Sequence, residues 1–243
     1  MQPPARSRPN PAEPVTQTGK IKIIENGEPL VDFLEGAPRL FQDRPRFHYK
    51  RETLIRKSVA EMLRQASENL PKGYKLAVIE GWRPPHIQKR MHATNVERFR
   101  KLHPEWPKNI LYRTANRYTA PMSKISPPPH TTGGAVDLLL AREDGSICNH
   151  IGPYELMDPR CYAFDAKGLS EEARETRAIL KAAIEPTGLT NYPSEYWHWS
   201  YGDQGWAYRG GHPHALYGPI EPPNWQPNPE DVSDELLVRT DVT

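Results

Sequence analysis

Four residues in two distant stretches of this chain carry side chains suited to metal-assisted chemistry. The first stretch is Pro128-Pro129-His130-Thr131-Thr132-Gly133-Gly134-Ala135-Val136-Asp137, and the second is Glu195-Tyr196-Trp197-His198-Trp199. Together they offer two imidazoles and two carboxylates, in the order His, Asp, Glu, His. Three nitrogen or oxygen donors with a fourth position left open make up a catalytic zinc site. The remaining side chain then has a role outside the metal shell, as the base that takes a proton from the attacking water. Any one of these residues alone is more often structural. The four together, with two glycines following the first histidine, read as a metal site.

The elements that must position them follow from local pattern. Ala135 to Leu140 is an apolar run interrupted only by Asp137, which predicts a buried strand. A carboxylate there is costly unless it is paired or metal-bound. Gly133 and Gly134 allow a sharp backbone turn, so His130 and Asp137 can face one point. Tyr196 to Tyr201 is aromatic and β-prone, which predicts a second strand. A flat strand would put Glu195 and His198 on opposite faces, so Glu195 is expected on the turn entering it.

The pattern His-x-x-Gly-x-Ala-x-Asp followed by Glu-x-Trp-His resembles the zinc D-alanyl-D-alanine dipeptidases and related D-Ala-D-Ala-type metallopeptidases (family M15). The resemblance implies that His130, Asp137 and His198 hold one zinc ion per chain and that Glu195 is the catalytic base. The segment Glu80-Gly81-Trp82-Arg83-Pro84-Pro85 is similar to the family segment whose arginine stabilises the transition state, which implies that role for Arg83. Phe164-Asp165 resembles a pair that binds the free amine of the substrate, which implies a substrate contact at Asp165. The likeness runs from about Glu52 to Gly202. It departs at Pro128, where the family usually has serine, and in a longer connection between Asp137 and Asp165. Both departures bear on the substrate more than on the metal.

Composition narrows the class. The chain has 243 residues, a formal net charge of +2 and 26% charged residues. One domain is the default at this length. So small a charge excess gives no footprint for nucleic acid or an anionic membrane, and no run approaches the ~20 apolar residues of a membrane helix. The start, Met1 to Pro9, lacks the apolar core of a secretory signal, so a cytoplasmic location is expected. Cys148 and Cys161 match no zinc-finger spacing and are expected as reduced thiols, with a disulfide the alternative.

Along the chain, residues 1–19 contain five prolines and read as a disordered tail. Lys20 to Ile24 predicts a short edge strand and Pro38 to Pro45 an irregular connection. Glu52 to Asn69 has an apolar stripe at helical spacing, stopped by Pro71 and Gly73. Tyr74 to Glu80 reads as a strand with Arg83 just beyond its end, and Ile87 to Leu102 as a helix whose neighbouring His86, His92 and His103 are expected at the surface. Arg142 to Ala163 is a long loop of the kind that forms lids or substrate walls, with Glu143, Asp144 and His150 solvated. Ser170 is the expected N-cap of a third helix, ended by Gly188. His212 and His214 sit in a glycine-rich loop and read as exposed. Residues 219–243, rich in proline and then acidic, read as a C-terminal tail, leaving residues 20–218 as the zinc peptidase domain. Strands separated by helices indicate one α+β domain. The resemblance implies a small, mostly antiparallel sheet with helices packed on one side and the zinc site at the sheet.

The expected function is zinc-dependent hydrolysis of D-alanyl-D-alanine or a similar dipeptide, with a small peptide as substrate and neither nucleic acid nor membrane as partner. One rival is a D,D- or L,D-carboxypeptidase or endopeptidase acting on peptidoglycan peptides. The other is a non-catalytic zinc-stabilised binding domain, whose mark would be loss of the base. The sequence does not specify the oligomeric state.

Overall fold

The computed structural model describes residues 13–156, 158–233 and 235–240. In chain order the strands are β1 (Leu30–Asp32), β2 (Leu40–Gln42), β3 (Leu54–Arg56), β4 (Tyr74–Glu80), β5 (Ala135–Arg142), β6 (Thr190–Asn191) and β7 (His198–Ser200). The helices are α1 (Val15–Thr18), α2 (Lys57–Asn69), α3 (Pro85–Leu102), α4 (Lys108–Ala115), α5 (Glu171–Ile184) and α6 (Gln204–Gly210). Five strands form one sheet in the order β2-β4-β5-β7-β6, and β1 pairs with β3 in a second, two-stranded sheet. Every pairing is antiparallel except β2 with β4. The fold is α+β.

Strand alternation gives the large sheet two different faces. Leu76 and Val78 of β4, Val136, Leu138 and Leu140 of β5 and Trp199 of β7 belong to the main core. They meet Val59, Leu63 and Ala66 of α2 and Leu180, Ala183 and Ile184 of α5. The opposite face carries Asp137 and His198, which are paired across β5 and β7. Val78 lies opposite Leu138, but the register shifts between Val78 and Glu80, so that Glu80 lies opposite Asp137. This irregularity transfers Glu80 from the helix-packed face, where plain alternation would put it, to the face of Asp137.

Several local expectations are corrected. Glu52–Asn69 is not one helix, because Leu54–Arg56 pairs with Leu30–Asp32 and the helix starts at Lys57. Pro38–Pro45 is not irregular throughout, because Leu40–Gln42 finds a parallel partner in Leu76–Val78. Both pairings join segments distant in sequence, which local periodicity cannot register. The second site strand is shorter than Tyr196–Tyr201, since the turn runs through Trp197. Lys20–Ile24 contributes a single bridge, Ile23 to Ala215. Helix α4 had no counterpart in the sequence reading. Helix α5 has the expected cap, the Ser170 hydroxyl accepting from Ala173 N at 3.1 Å.

The two expected tails behave differently. Residues 1–12 lie outside the described residues, while the end of that segment forms α1, with Gln17 bonded to Tyr208 of α6. Residues 219–240 are laid against the domain wherever they are described. Leu237 is buried with Phe47, Ile87 and Met91, Lys50 N donates to Asp231 at 2.9 Å, and Phe47 bridges to Arg239. An apolar anchor and a buried acid outweigh the Pro-rich, acidic composition. His150, expected in solvent, is 3% exposed. Its Nε2 accepts from Leu140 N at 2.9 Å and its Nδ1 pairs with Cys148 O at 2.7 Å, so the polar ring replaces backbone partners at the edge of β5. Cys148 and Cys161 are free and buried. Among the described residues no helix is long and apolar enough to cross a membrane.

Candidate active site

The site is assembled from one turn and the ends of neighbouring strands. Before β5, residues Pro129–Thr132 form a single 3₁₀ turn closed by Gly133 at φ 70°. A side chain at Gly133 would meet Leu30, and one at Gly134 would come within 2.5 Å of Tyr201 O. Arg56, fully buried, fastens this turn from outside. Its backbone N donates to Gly133 O at 3.0 Å and its Nε to Thr132 O at 2.8 Å. Glu25 grips the Arg56 guanidinium with both carboxylate oxygens, each at 2.9 Å. Such bidentate pairing fixes direction as well as charge.

His130, Asp137 and His198 are all buried, and their donor atoms lie within 4.8 Å of one another. Asp137 Oδ1 is 3.3 Å from His130 Nε2 and 3.0 Å from His198 Nδ1. Ligands bound tetrahedrally at roughly 2.0–2.1 Å sit about 3.3 Å apart, so the spacing suits one small cation. The second nitrogen of His130 is 2.9 Å from Gly81 O. Donation from Nδ1 to that carbonyl leaves Nε2 as the acceptor facing the cluster, the usual support for a metal-binding imidazole. Burial works against charge at Asp137, but His130 and His198 prevail and hold its carboxyl well below the usual range. Burial also opposes charge at His198, where bonding to Asp137 prevails and raises its pKa. Two neutral-capable imidazoles and one carboxylate, dry and convergent, fit a zinc ion.

Glu195 lies on the turn before β7, as its spacing from His198 required. Its backbone N donates to Tyr192 O at 2.9 Å and its carbonyl accepts from His198 N at 3.2 Å. Asn191 Nδ2 holds the same carbonyl at 3.0 Å. Burial of the Glu195 carboxyl pushes its pKa up to about 7, opposed by His198 and reinforced by Asp137.

Arg83 is buried just past β4. Its Nε and Nη2 reach Glu80 Oε2 at 3.3 and 3.1 Å, and its Nη1 donates to Gln88 Oε1 at 2.7 Å. Gln88 is itself fixed by Ala120 O at 2.7 Å, and Tyr49 donates to Glu80 from the other side. Burial opposes the charge on Arg83, but Glu80 outweighs it and keeps the guanidinium cationic. Arg83 N also donates to His130 O at 3.1 Å, joining this arm to the metal turn.

Asp165 differs from these residues in its exposure. It is exposed and lines a cleft of roughly 540 Å³ with Phe164, Lys181, Glu185, Asn191 and Pro193. None of the metal-cluster residues lines that cleft. Arg56, Gln88 and Tyr49 complete the surroundings of the site, although none of them belongs to a recognisable motif. Only Gln88 left a signal, as an amide in the first turns of a helix opened by the proline pair after Arg83.

Two histidines and an aspartate converging from a turn and two strands, beside a half-buried glutamate and a buried arginine, define a candidate metallopeptidase centre. The chain belongs to the D-Ala-D-Ala dipeptidase family, peptidase family M15, whose model matches residues 41–215. A D-alanyl-D-alanine dipeptidase of Synechocystis is 28% identical over 235 residues, covering 83% of this chain and 95% of that protein. One from Enterococcus faecium is 31% identical over 153 residues, covering 60% and 72%. One from Enterococcus faecalis is 25% identical over 165 residues, covering 61% and 73%. A solved LD-carboxypeptidase, LdcB, described for its peptidoglycan recognition, aligns over 74% of this chain and 71% of its own, at 20% identity and a TM-score of 0.37. The family is one of metallopeptidases, and this chain is a peptidase with a possible His-Asp-His metal site.

Proposed function

We propose that the chain is a zinc-dependent dipeptidase that hydrolyses D-alanyl-D-alanine or a similar small peptide. The observation that carries this reading is the convergence of His130, Asp137 and His198 within 4.8 Å, with Glu195 three residues before the last of them. Zinc held by these three residues would lower the pKa of water towards neutrality and polarise the scissile carbonyl. Glu195 takes the proton of the attacking water and returns it to the leaving amine, and a pKa near 7 suits both transfers. Arg83, already fixed by Glu80 and Gln88, presents its charge to the developing oxyanion without reorganising. Buried walls around the cluster exclude bulk water and strengthen each of these interactions.

A second reading, a carboxypeptidase or endopeptidase for peptidoglycan peptides, is favoured by one feature. Asp165, the expected partner of a free substrate amine, is exposed on a cleft not lined by the metal cluster. The test is hydrolysis of L,L-, L,D- and D,D-dipeptides and their N-acetyl forms, with and without a chelator. The dipeptidase reading expects chelator-sensitive cleavage of free D,D-dipeptides and rejection of acetylated ones. Equal cleavage of the acetylated peptides supports the second reading, and chelator-resistant cleavage removes the zinc assignment.

A further inference from the structure

Residues 46–49 run between the β4 and β7 ends of the site. Tyr49 reaches Glu80 at the β4 end. At the β7 end the Arg46 guanidinium lies over the Trp197 ring, 5.2 Å from its centroid. Trp197 adjoins His198 and stands two residues beyond Glu195, so Arg46 borders the catalytic turn. The main chain here is pinned: Thr240 N donates to Arg46 O at 3.1 Å, His48 N donates to Val238 O at 2.7 Å, and Phe47 is buried. The head group is not. Among the described residues the Arg46 guanidinium makes no hydrogen bond or ion pair, only the stacking contact. Arg83 is the opposite case, with its Nε, Nη1 and Nη2 all bonded to Glu80 or Gln88. The protein thus brings two guanidinium groups to one site, one held by its neighbours and one with its donor fork open.

We infer that Arg46 receives the C-terminal carboxylate of the peptide substrate, an inference that rests on the peptidase reading above. Hydrolysis of a terminal peptide bond presents two centres of negative charge, the developing oxyanion and the free carboxylate one residue away. The rigid, pre-bonded Arg83 suits the first. A half-buried, aromatic-stacked arginine with free donors suits the second, because its planar fork matches a carboxylate bidentately. Tyr49 and Arg46 are three residues apart, at most about 11 Å of chain, which is the length scale of a dipeptide. Its ring partner Trp197 lies directly between Tyr196 and His198 in the chain. A carboxylate bound there lies close to the reacting centre.

The experiment compares a free D,D-dipeptide with its C-terminal amide, together with the N-acetyl dipeptide and its amide, on wild type, Arg46→Gln and Arg46→Lys. Wild type is expected to prefer each acid over its amide by about ten- to hundredfold in kcat/KM, the worth of one charge-assisted contact. In Arg46→Gln that preference should fall towards unity, chiefly through KM, and Arg46→Lys should restore part of it. Zinc content and far-UV circular dichroism of each variant separate this from misfolding. A purely structural arginine would lower acid and amide rates together and keep their ratio; that result overturns the inference and leaves the peptidase reading standing. If wild type cleaves none of the four peptides, the proposed function fails and this inference fails with it.

Discussion

In the proposed mechanism Glu195 combines two demands that a solvated carboxylate does not meet, since it would have to be ionised to start the reaction and protonated to finish it. Burial supplies the match by holding its pKa near 7, with Asp137 adding and His198 and Arg46 opposing. The direction of the pH dependence follows: protonation below that value removes the base, so kcat/KM falls tenfold per pH unit on the acid side. A bound cation beside the carboxyl pulls the value down, which puts the midpoint of the acid limb at or below about 7. Glu195→Gln keeps shape and removes proton affinity. It should retain metal, lose roughly a hundred- to ten-thousandfold in rate, and show no such limb in its residual activity. Steady-state rates from pH 5 to 9 check this, and near-normal turnover in the variant would transfer the base to another residue.

At the scale of elements, the long connection after β5 is stapled rather than free. Arg177 of α5 is fully buried and donates to His150 O, Ala163 O, Phe164 O and Cys161 O at 2.6–3.0 Å. Its guanidinium lies 3.9 Å from the Tyr196 ring centroid, and Tyr196 N bonds Tyr162 O, so this loop backs the Glu195 turn. His150 is the pH-sensitive part of the staple. Burial holds its pKa down to about 4, against about 6.5 in an unfolded chain. Between those values the unfolded state binds the extra proton, so stability falls as pH drops from about 6.5 to 4 and no further below that. The loss from this residue is at most about 3 kcal/mol. Urea unfolding of wild type and His150→Gln should diverge in pH dependence over that window, the variant losing less on acidification. Parallel curves would show that another group controls acid stability.

For the molecule as a whole, the proposed metal site would also be a structural knot. The cluster links β5 and β7 to the turn at His130, which Arg56 and Arg83 tie to the two-stranded sheet and to α3. A cation that binds only the folded chain stabilises it by about 4 kcal/mol at a thousandfold excess over Kd. For a chain of this size that amounts to a rise in Tm on the order of 10 °C. Calorimetry with zinc and with chelator should show this difference, and His198→Ala should abolish it along with stoichiometric zinc. A chelator-insensitive Tm would mean that the three residues form only an ion-paired cluster.

The sequence alone determined what local chemistry can express. His130, Asp137, Glu195 and His198 were legible because a carboxylate in an apolar strand and two glycines beside a histidine have few other uses. The Ser170 cap, strand β4 and the placement of Glu195 on a turn followed from side-chain periodicity and capping rules. What the tertiary structure decided is what depends on partners remote in sequence. The pairing of β1 with β3 and of β2 with β4, the register shift that turns Glu80 towards Asp137, and the burial of His150 each depend on long-range hydrogen bonds. Asp165 had a motif but ended exposed, while Arg46 had none and borders the Glu195 turn. A motif fixes which residues are near in the chain; only packing fixes which are near in space, and desolvation, which sets both charge and affinity, depends on the second.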